Sequence, residues 1–107
     1  CTFFETYDLL VTPTVMAAPF PVEIWYLDEV AGVKFDNYVD WLMHTFVITP
    51  TGCPAVSVPC GFTKAGLPVG LQLVAPPRAE AALLSAAAAF EANQDLQWQT
   101  PIDPRSK

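Results

Sequence analysis

The clearest hydrophobic pattern in the chain lies between Thr51 and Val74, where two apolar stretches flank a polar one. Ala55–Val58 is rich in strand-forming residues and has a proline on each side, and Val69–Val74 alternates apolar residues with glycine and glutamine. Residues 63–66 between them are polar and include a glycine, which is typical of a chain reversal. The pattern therefore predicts two strands joined as a hairpin or through a wider loop.

Two glycines and one earlier apolar run extend this prediction. Gly61 follows the first stretch and Gly70 lies inside the second, and glycine at such places indicates positive φ or a close backbone approach. Near the start of the chain, Leu9–Thr12 forms a continuous apolar run that ends at Pro13. Such runs are typical of strands buried on both faces, as in parallel sheets covered by helices.

Two helices are predicted, with a loop before the first. Glu23–Val33 shows no clean period and is interpreted as loop, whereas 36–46 is helical with Asp36 as its N-cap, because a carboxylate accepts the free N–H groups of a first turn. This helix is apolar nearly all round, which predicts burial. The second helix is Ala79–Ala92, because alanine is the strongest helix former.

The second helix has a stripe at helical spacing that predicts its packing. Small alanines let it lie close to a sheet, Asn93 is expected to end it, and Gln94–Lys107 is expected to be an irregular tail held by Trp98. The order strand, helix, strand, strand, helix predicts a layered α/β fold. The three strands are expected in one sheet with the second helix on a face. The stripe consists of Leu83, Leu84, Ala87 and Phe90.

The composition indicates that the chain is part of a domain and not a complete one. The chain has 107 residues, of which 52% are hydrophobic and only 15% charged, against roughly 25% charged in an average soluble protein. A small domain exposes much surface and needs more polar residues, not fewer. We therefore expect residues 1–107 to be one portion of a larger domain, ordered beside the rest of the parent chain or through self-association.

Charge and cysteine content exclude several classes of function. The net charge of −6, with five scattered Lys and Arg residues, argues against nucleic-acid binding and against a basic membrane-surface helix. No run of 18 apolar residues is present, so no membrane span is expected. Three cysteines without a Cys-x-x-Cys spacing predict free thiols and an intracellular, cytoplasmic protein, and a single histidine leaves no ligand set for a metal.

Three sequence blocks carry a resemblance to a known family. FFETYDLLVTPTVMAAPFP, TGCPAVSVPCGF and GLPVGLQLVAPP occur in that order, the last followed by an alanine-rich helix ending in AFE. Together they resemble the C-terminal end of the amidase-signature family, which includes amide hydrolases and the A subunit of glutamyl-tRNA amidotransferase. The resemblance implies the C-terminal part of a large mixed β-sheet sandwiched by helices in an α/β/α arrangement.

The resemblance also implies where the chemistry lies. The family hydrolyses C–N amide bonds with a nucleophilic serine, a second serine and a lysine, and it needs no metal or organic cofactor. No serine or lysine of this chain matches that motif, so no catalytic residue is assigned and the chain alone is expected to be inactive. The family's acyl pocket is approached by segments that match five positions here: Thr12, Thr14, Val15, Trp41 and Thr45. Thr49 departs from the family, where asparagine is common.

Two candidate nucleophiles arise from the residues themselves. Ser57 lies in the middle of a predicted strand, not at the sharp strand-to-helix turn that exposes a Gly-x-Ser-x-Gly nucleophile, so a place on the sheet is the better interpretation. Cys60 with His44 is the other pair, although free cysteine is usually a small buried hydrophobe. A place in the core or on a sheet face is preferred for Ser57, and a buried structural role for Cys60 and His44.

Two hypotheses of different classes remain open. The first is a structural and pocket-wall segment of an amidase that acts on a small-molecule amide, with an amidotransferase of the same family as a variant. The second is a non-catalytic interaction module that retains the end of the fold and lacks its catalytic centre. A Gly/Ser-rich serine block upstream in the full-length gene would support the amidase, and an upstream start codon without that block would support the module.

Overall fold

A computed structural model of the protein describes residues 2–96. Within them, two α-helices and five short strands are joined by loops and by 3-10 turns at Thr2–Glu5 and Thr49–Thr51. The helices are α1 (Tyr38–Phe46) and α2 (Glu80–Ala92). The strands are β1 (Leu10–Pro13), β2 (Glu29–Val30), β3 (Val33–Lys34), β4 (Ala55–Phe62) and β5 (Pro68–Val74).

The central sheet has three antiparallel strands in the order β1-β5-β4. Its register places Gln72 opposite both Thr12 and Ser57, and the next residue of β5, Leu73, opposite Val11 and Val56. Because side chains alternate between the faces of a strand, these two rows lie on opposite faces. One face of the sheet is therefore apolar at its centre and the other is polar.

The core lies between the apolar face and α2. Val58 and Leu73 of the sheet are buried against Leu83 and Ala87 of the helix, which are four residues apart and so lie on one side of it. Phe90 is partly buried against the same cluster. The predictions of three strands in one sheet and of a helix on its face are confirmed.

The last part of strand β4 confirms the expectation for Gly61. The ladder shifts register between Pro59 and Gly61, and Gly61 has a φ of 144°. A register shift leaves one residue of a strand without a partner and bends that strand, and only glycine adopts this φ without strain. The hairpin is thus longer than predicted, because β4 continues through the bulge to Phe62.

Three predictions about individual elements are wrong. β1 is an antiparallel edge strand instead of one buried on both faces, and Val11 is half exposed. The α1 helix contains no buried residue, so its apolar surface is left open in this part of the chain. Leu84 is 61% exposed. It follows Leu83 directly, and successive residues of an α-helix are rotated by about 100°, so its side chain points away from the sheet.

Two further boundaries also differ from the predictions. Asn37, not Asp36, caps α1: its side-chain oxygen accepts hydrogen bonds from the N–H groups of Val39 and Asp40 at 3.0 and 3.1 Å. The loop predicted at 23–33 contains strand β2 and the start of β3, and its reversal uses positive φ at Ala31 and Gly32. The predicted tail with Trp98 lies outside the described residues.

The adjacent leucines of α2 provide a test of this packing. Leu83→Ala is expected to lower the free energy of unfolding by about 2–5 kcal/mol, because it removes a buried side chain and leaves a cavity. Leu84→Ala is the matched control and should change it by less than about 1 kcal/mol. Urea unfolding of the full-length protein, followed by circular dichroism, measures both, and equal effects would place the core elsewhere.

Candidate functional site

The sheet face opposite α2 presents a group of hydrogen-bonded polar side chains. The amide nitrogen of Gln72 donates to the hydroxyl of Thr12 at 3.2 Å, which joins β5 to β1. The hydroxyls of Thr14 and Ser57 lie 2.7 Å apart, and so join the residue after β1 to strand β4. The Gln72–Thr12 pair is partly buried, whereas the Thr14–Ser57 pair lies at the exposed surface of the sheet.

Gly70 makes the second of these pairs possible. It lies on β5 between the two outer strands, and a Cβ atom built on it would be 2.8 Å from the Thr14 hydroxyl oxygen and 3.0 Å from that of Ser57. Real Cβ atoms do not approach so closely. The predicted close approach at Gly70 is therefore confirmed, and what approaches is a pair of side chains.

An open cleft lies immediately beside this pair. We call it the Trp41 cleft; its volume is about 410 Å³, within the range of small-molecule sites. The indole of Trp41 forms one side, and Phe20 meets that ring edge-on at a centroid distance of 5.8 Å. The lining consists of residues 15–20, Trp41 and residues 68–70.

Helix α1 holds Trp41 in place through contacts at both of its ends. Asn37 caps its first turn. Near its last turn, the Nε2 atom of His44 lies 2.9 Å from the carbonyl oxygen of Pro13 at the end of β1. Because a carbonyl only accepts, Nε2–H is the donor in that hydrogen bond. His44 follows Trp41 by three residues and lies on the same side of the helix, so this bond also sets the indole against the residues after β1.

Two buried side-chain nitrogen atoms of α1 have no hydrogen-bond partner among residues 2–96. They are Nε1 of Trp41 and Nδ1 of His44, both inaccessible to solvent. His44 also lines a second, apolar cleft of about 350 Å³ under the β2–β3 hairpin, with Met16 between the two clefts. The histidine thus links α1 to the end of β1, as expected for a structural role, but the residue is only half-buried.

The five residues predicted to line a pocket are distributed around the Trp41 cleft in different ways. Val15 and Trp41 line it directly. Thr14 comes just before its lining segment and is engaged with Ser57. The other two do not line it: Thr12 binds Gln72, and the hydroxyl of Thr45 donates to the carbonyl of Leu42 at 2.7 Å within α1. Contact with a substrate stays a prediction for all five.

Neither Ser57 nor the Cys60–His44 pair belongs to a catalytic arrangement among the described residues. The Ser57 hydroxyl is paired with another hydroxyl, and His44 is hydrogen-bonded to a backbone carbonyl. Cys53 and Cys60 are free thiols.

No group of three metal-ligating side chains occurs within residues 2–96. Over the same residues, no helix has both the length and the apolar character needed to cross a membrane.

Sequence reasoning missed two parts of the cleft. Phe20 follows a proline-rich extended segment whose fold the sequence does not reveal, so its contact with Trp41 was not expected. Residues 68–70 line the cleft because β5 begins there. The glycine within β5 was the available signal, since a strand residue without a side chain indicates that something lies close to its backbone.

Comparison with known proteins identifies the family. A family model described as Amidase matches residues 1–84. Two relatives are the A subunit of the glutamyl-tRNA(Gln) amidotransferase from Moorella thermoacetica, 47% identical over 100 residues, and the acylamidase of Rhodococcus erythropolis, 39% identical over 103 residues. The alignments cover 94% and 95% of this chain but 19% and 21% of those relatives.

A solved structure gives the same result for the fold. The crystal structure of a bacterial aryl acylamidase of the amidase signature family matches with a TM-score of 0.75 and 29% identity, over 85% of this chain and 19% of that one. This chain thus spans about a fifth of the length of such proteins, and its predicted position at their C-terminal end is not established by these matches. The family itself is established, because its model matches most of the chain: the chain belongs to the amidase family.

Proposed function

We propose that this chain is a structural and substrate-pocket-wall segment of a parent protein that hydrolyses C–N amide bonds. The observation that carries the proposal is the Trp41 cleft, an apolar, aromatic-walled site at the edge of the sheet in a chain of the amidase family. The catalytic serine, relay serine and lysine would lie outside residues 1–107. The position of the segment at the C-terminal end of the parent stays part of the proposal, supported by the order of the three sequence blocks.

Within this proposal the chain's own residues bind and orient the substrate. The apolar lining suits the acyl or aryl part of an amide, because burying such a group gains about 25 cal/mol per Å² of apolar area. The reaction would proceed by attack of the serine oxygen on the amide carbonyl carbon, with departure of the amine and later hydrolysis of the ester by water. Every group that moves a proton in those steps would come from the rest of the parent.

A second candidate is the A subunit of an amidotransferase. The 47% identity to such a protein from Moorella thermoacetica favours it. The two candidates differ in substrate, because an amidotransferase of this kind would take the polar side-chain amide of glutamine, whereas the apolar lining of the Trp41 cleft suits an aryl or aliphatic amide. Parallel assays of the full-length protein with glutamine and with an acyl anilide distinguish them.

The first prediction from this proposal concerns the chain by itself. We expect the purified 107-residue chain not to hydrolyse simple aryl or aliphatic amides, because the nucleophile, the relay serine and the lysine are absent from it. The full-length protein, assayed beside it, is expected to turn over at least one of them. Turnover by the short chain that Ser57→Ala abolishes would show that a nucleophile had been overlooked.

The second prediction concerns the wall of the cleft. In the full-length protein, Trp41→Ala should raise KM for an acyl anilide about tenfold, since the loss of one aromatic contact is worth on the order of 1.4 kcal/mol. Trp25→Ala is the matched control, because Trp25 is 83% exposed and stacks on Tyr38 outside the lining. Steady-state kinetics measure both, and an equal rise in KM for the two variants would contradict a role of the cleft in binding.

The third prediction concerns the partner of this chain, which we propose to be the rest of the parent or a second copy. Six hydrophobic residues are buried within residues 2–96, while Val22, Val39 and Val47 are among those half exposed or more. The Cα radius of gyration is 16.0 Å, against roughly 13 Å for a compact domain of this length. Light scattering on the isolated chain should show self-association. A compact monomer with a sharp unfolding transition would contradict this.

A further inference from the structure

We infer that Thr14, Ser57 and Gly70 form a positioning device that sets residues 15–20 against the substrate site. This inference rests on the proposed function, because it assigns a role to three residues in shaping the same cleft. None of the three touches the reacting atoms. Thr14 and Ser57 act through the segment that follows Thr14, and Gly70 provides the space in which their hydroxyls meet.

The position of Thr14 in the chain is the first step of the argument. It is the last residue before the cleft lining, which begins at Val15. Its backbone N–H donates to the carbonyl of Gly70 at 3.1 Å, which extends the β1–β5 ladder by one bond beyond Pro13. Within residues 2–96, no backbone hydrogen bond joins residues 15–20 to the sheet. Thr14 is therefore the last residue that the sheet holds before residues 15–20, which line the cleft.

The side chain of Thr14 supplies the second attachment. The backbone ladder to β5 ends at the N–H of Thr14, and a further bond to Ser57 on β4 adds an attachment from the side chain where residue 15 leaves the sheet. The two hydroxyl oxygens lie 2.7 Å apart, a good distance for an O–H···O hydrogen bond. The bond crosses over β5 and thus joins the residue after β1 to strand β4.

Gly70 is required by this geometry for a steric reason. A methyl group at this position would lie 2.8 Å from one hydroxyl oxygen, 3.0 Å from the other and 3.2 Å from Cβ of Thr14. Gly70 also lines the cleft itself. Gly70 therefore lies where the hydroxyl pair and the cleft meet, and its missing side chain admits the pair.

Hydrogen exchange in the full-length protein tests the attachment without any need for activity. Thr14→Val, Ser57→Ala and Gly70→Ala should each speed exchange of the amide of residue 14, whose N–H donates to the carbonyl of Gly70, by roughly fivefold, the effect of losing one neutral hydrogen bond. Thr14→Val combined with Ser57→Ala should add little to either change, because both remove the same bond. Thr14→Ser keeps the hydroxyl and should exchange at the wild-type rate. Ser85→Ala is the matched control, because its hydroxyl bonds within α2.

Kinetics on the same variants test the positioning role. With an acyl anilide, KM should rise about fivefold in Thr14→Val and Ser57→Ala while kcat stays within about twofold, which is the signature of lost binding shared by substrate and transition state. Thr14→Ser should restore the wild-type KM. A variant that only weakened the fold would lower the amount of active enzyme and leave KM unchanged.

The outcomes separate this inference from the proposed function. Unchanged exchange in Thr14→Val and Ser57→Ala would overturn the attachment, and faster exchange with unchanged KM would overturn its role in positioning. If the wild-type protein hydrolyses no amide, the proposed function fails, while the exchange experiment still decides whether the pair holds the chain at residue 14, from which residues 15–20 continue. Thr14→Val is nearly isosteric, so the test remains decisive even if Gly70→Ala does not fold.

Discussion

Burial of the apolar sheet face beneath α2 is the interaction on which the rest of this structure depends. Val58 and Leu73 are nearly inaccessible there, and they meet Leu83 and Ala87 of the helix. The alanines of α2 allow this approach, because their small side chains let the helix backbone lie close to the sheet. The other elements are attached to this unit by strand pairing and by single hydrogen bonds, and they contribute little core of their own.

The division between the two faces of the sheet explains where a functional site can form. Successive side chains of a strand point to opposite faces of the sheet. When one set of side chains fills the core, the side chains between them therefore point away from it. The away-facing row contains Thr12, Gln72 and Ser57, which are joined in pairs to one another or to Thr14. The Trp41 cleft begins beside these side chains, where the chain leaves β1.

The proposed parent protein would account for the exposed apolar surface of α1. The chain spans about a fifth of the length of the relatives that it matches, and we propose that the remainder of such a protein covers this surface. Helix α1 has no buried residue among those described, and its Val39, Met43 and Phe46 are at least 40% exposed. A helix with so much apolar surface is usually covered by other parts of a protein. The composition of 52% hydrophobic and 15% charged residues fits the same proposal.

The sequence by itself determined the elements whose signals are local. Strand-forming residues between two prolines identified β4, alternation identified β5, alanine content identified α2, and glycine marked the positive φ at Gly61 and the close approach at Gly70. The three sequence blocks identified the family. Only the tertiary structure decided that β1 is an antiparallel edge strand, that Asn37 caps α1, and that Leu84 faces away from the core. It also decided that Thr14 meets Ser57 across Gly70 and that Phe20 meets Trp41, since each pair joins residues that are far apart in the sequence. Such contacts depend on strand order and register, which periodicity within one segment does not contain.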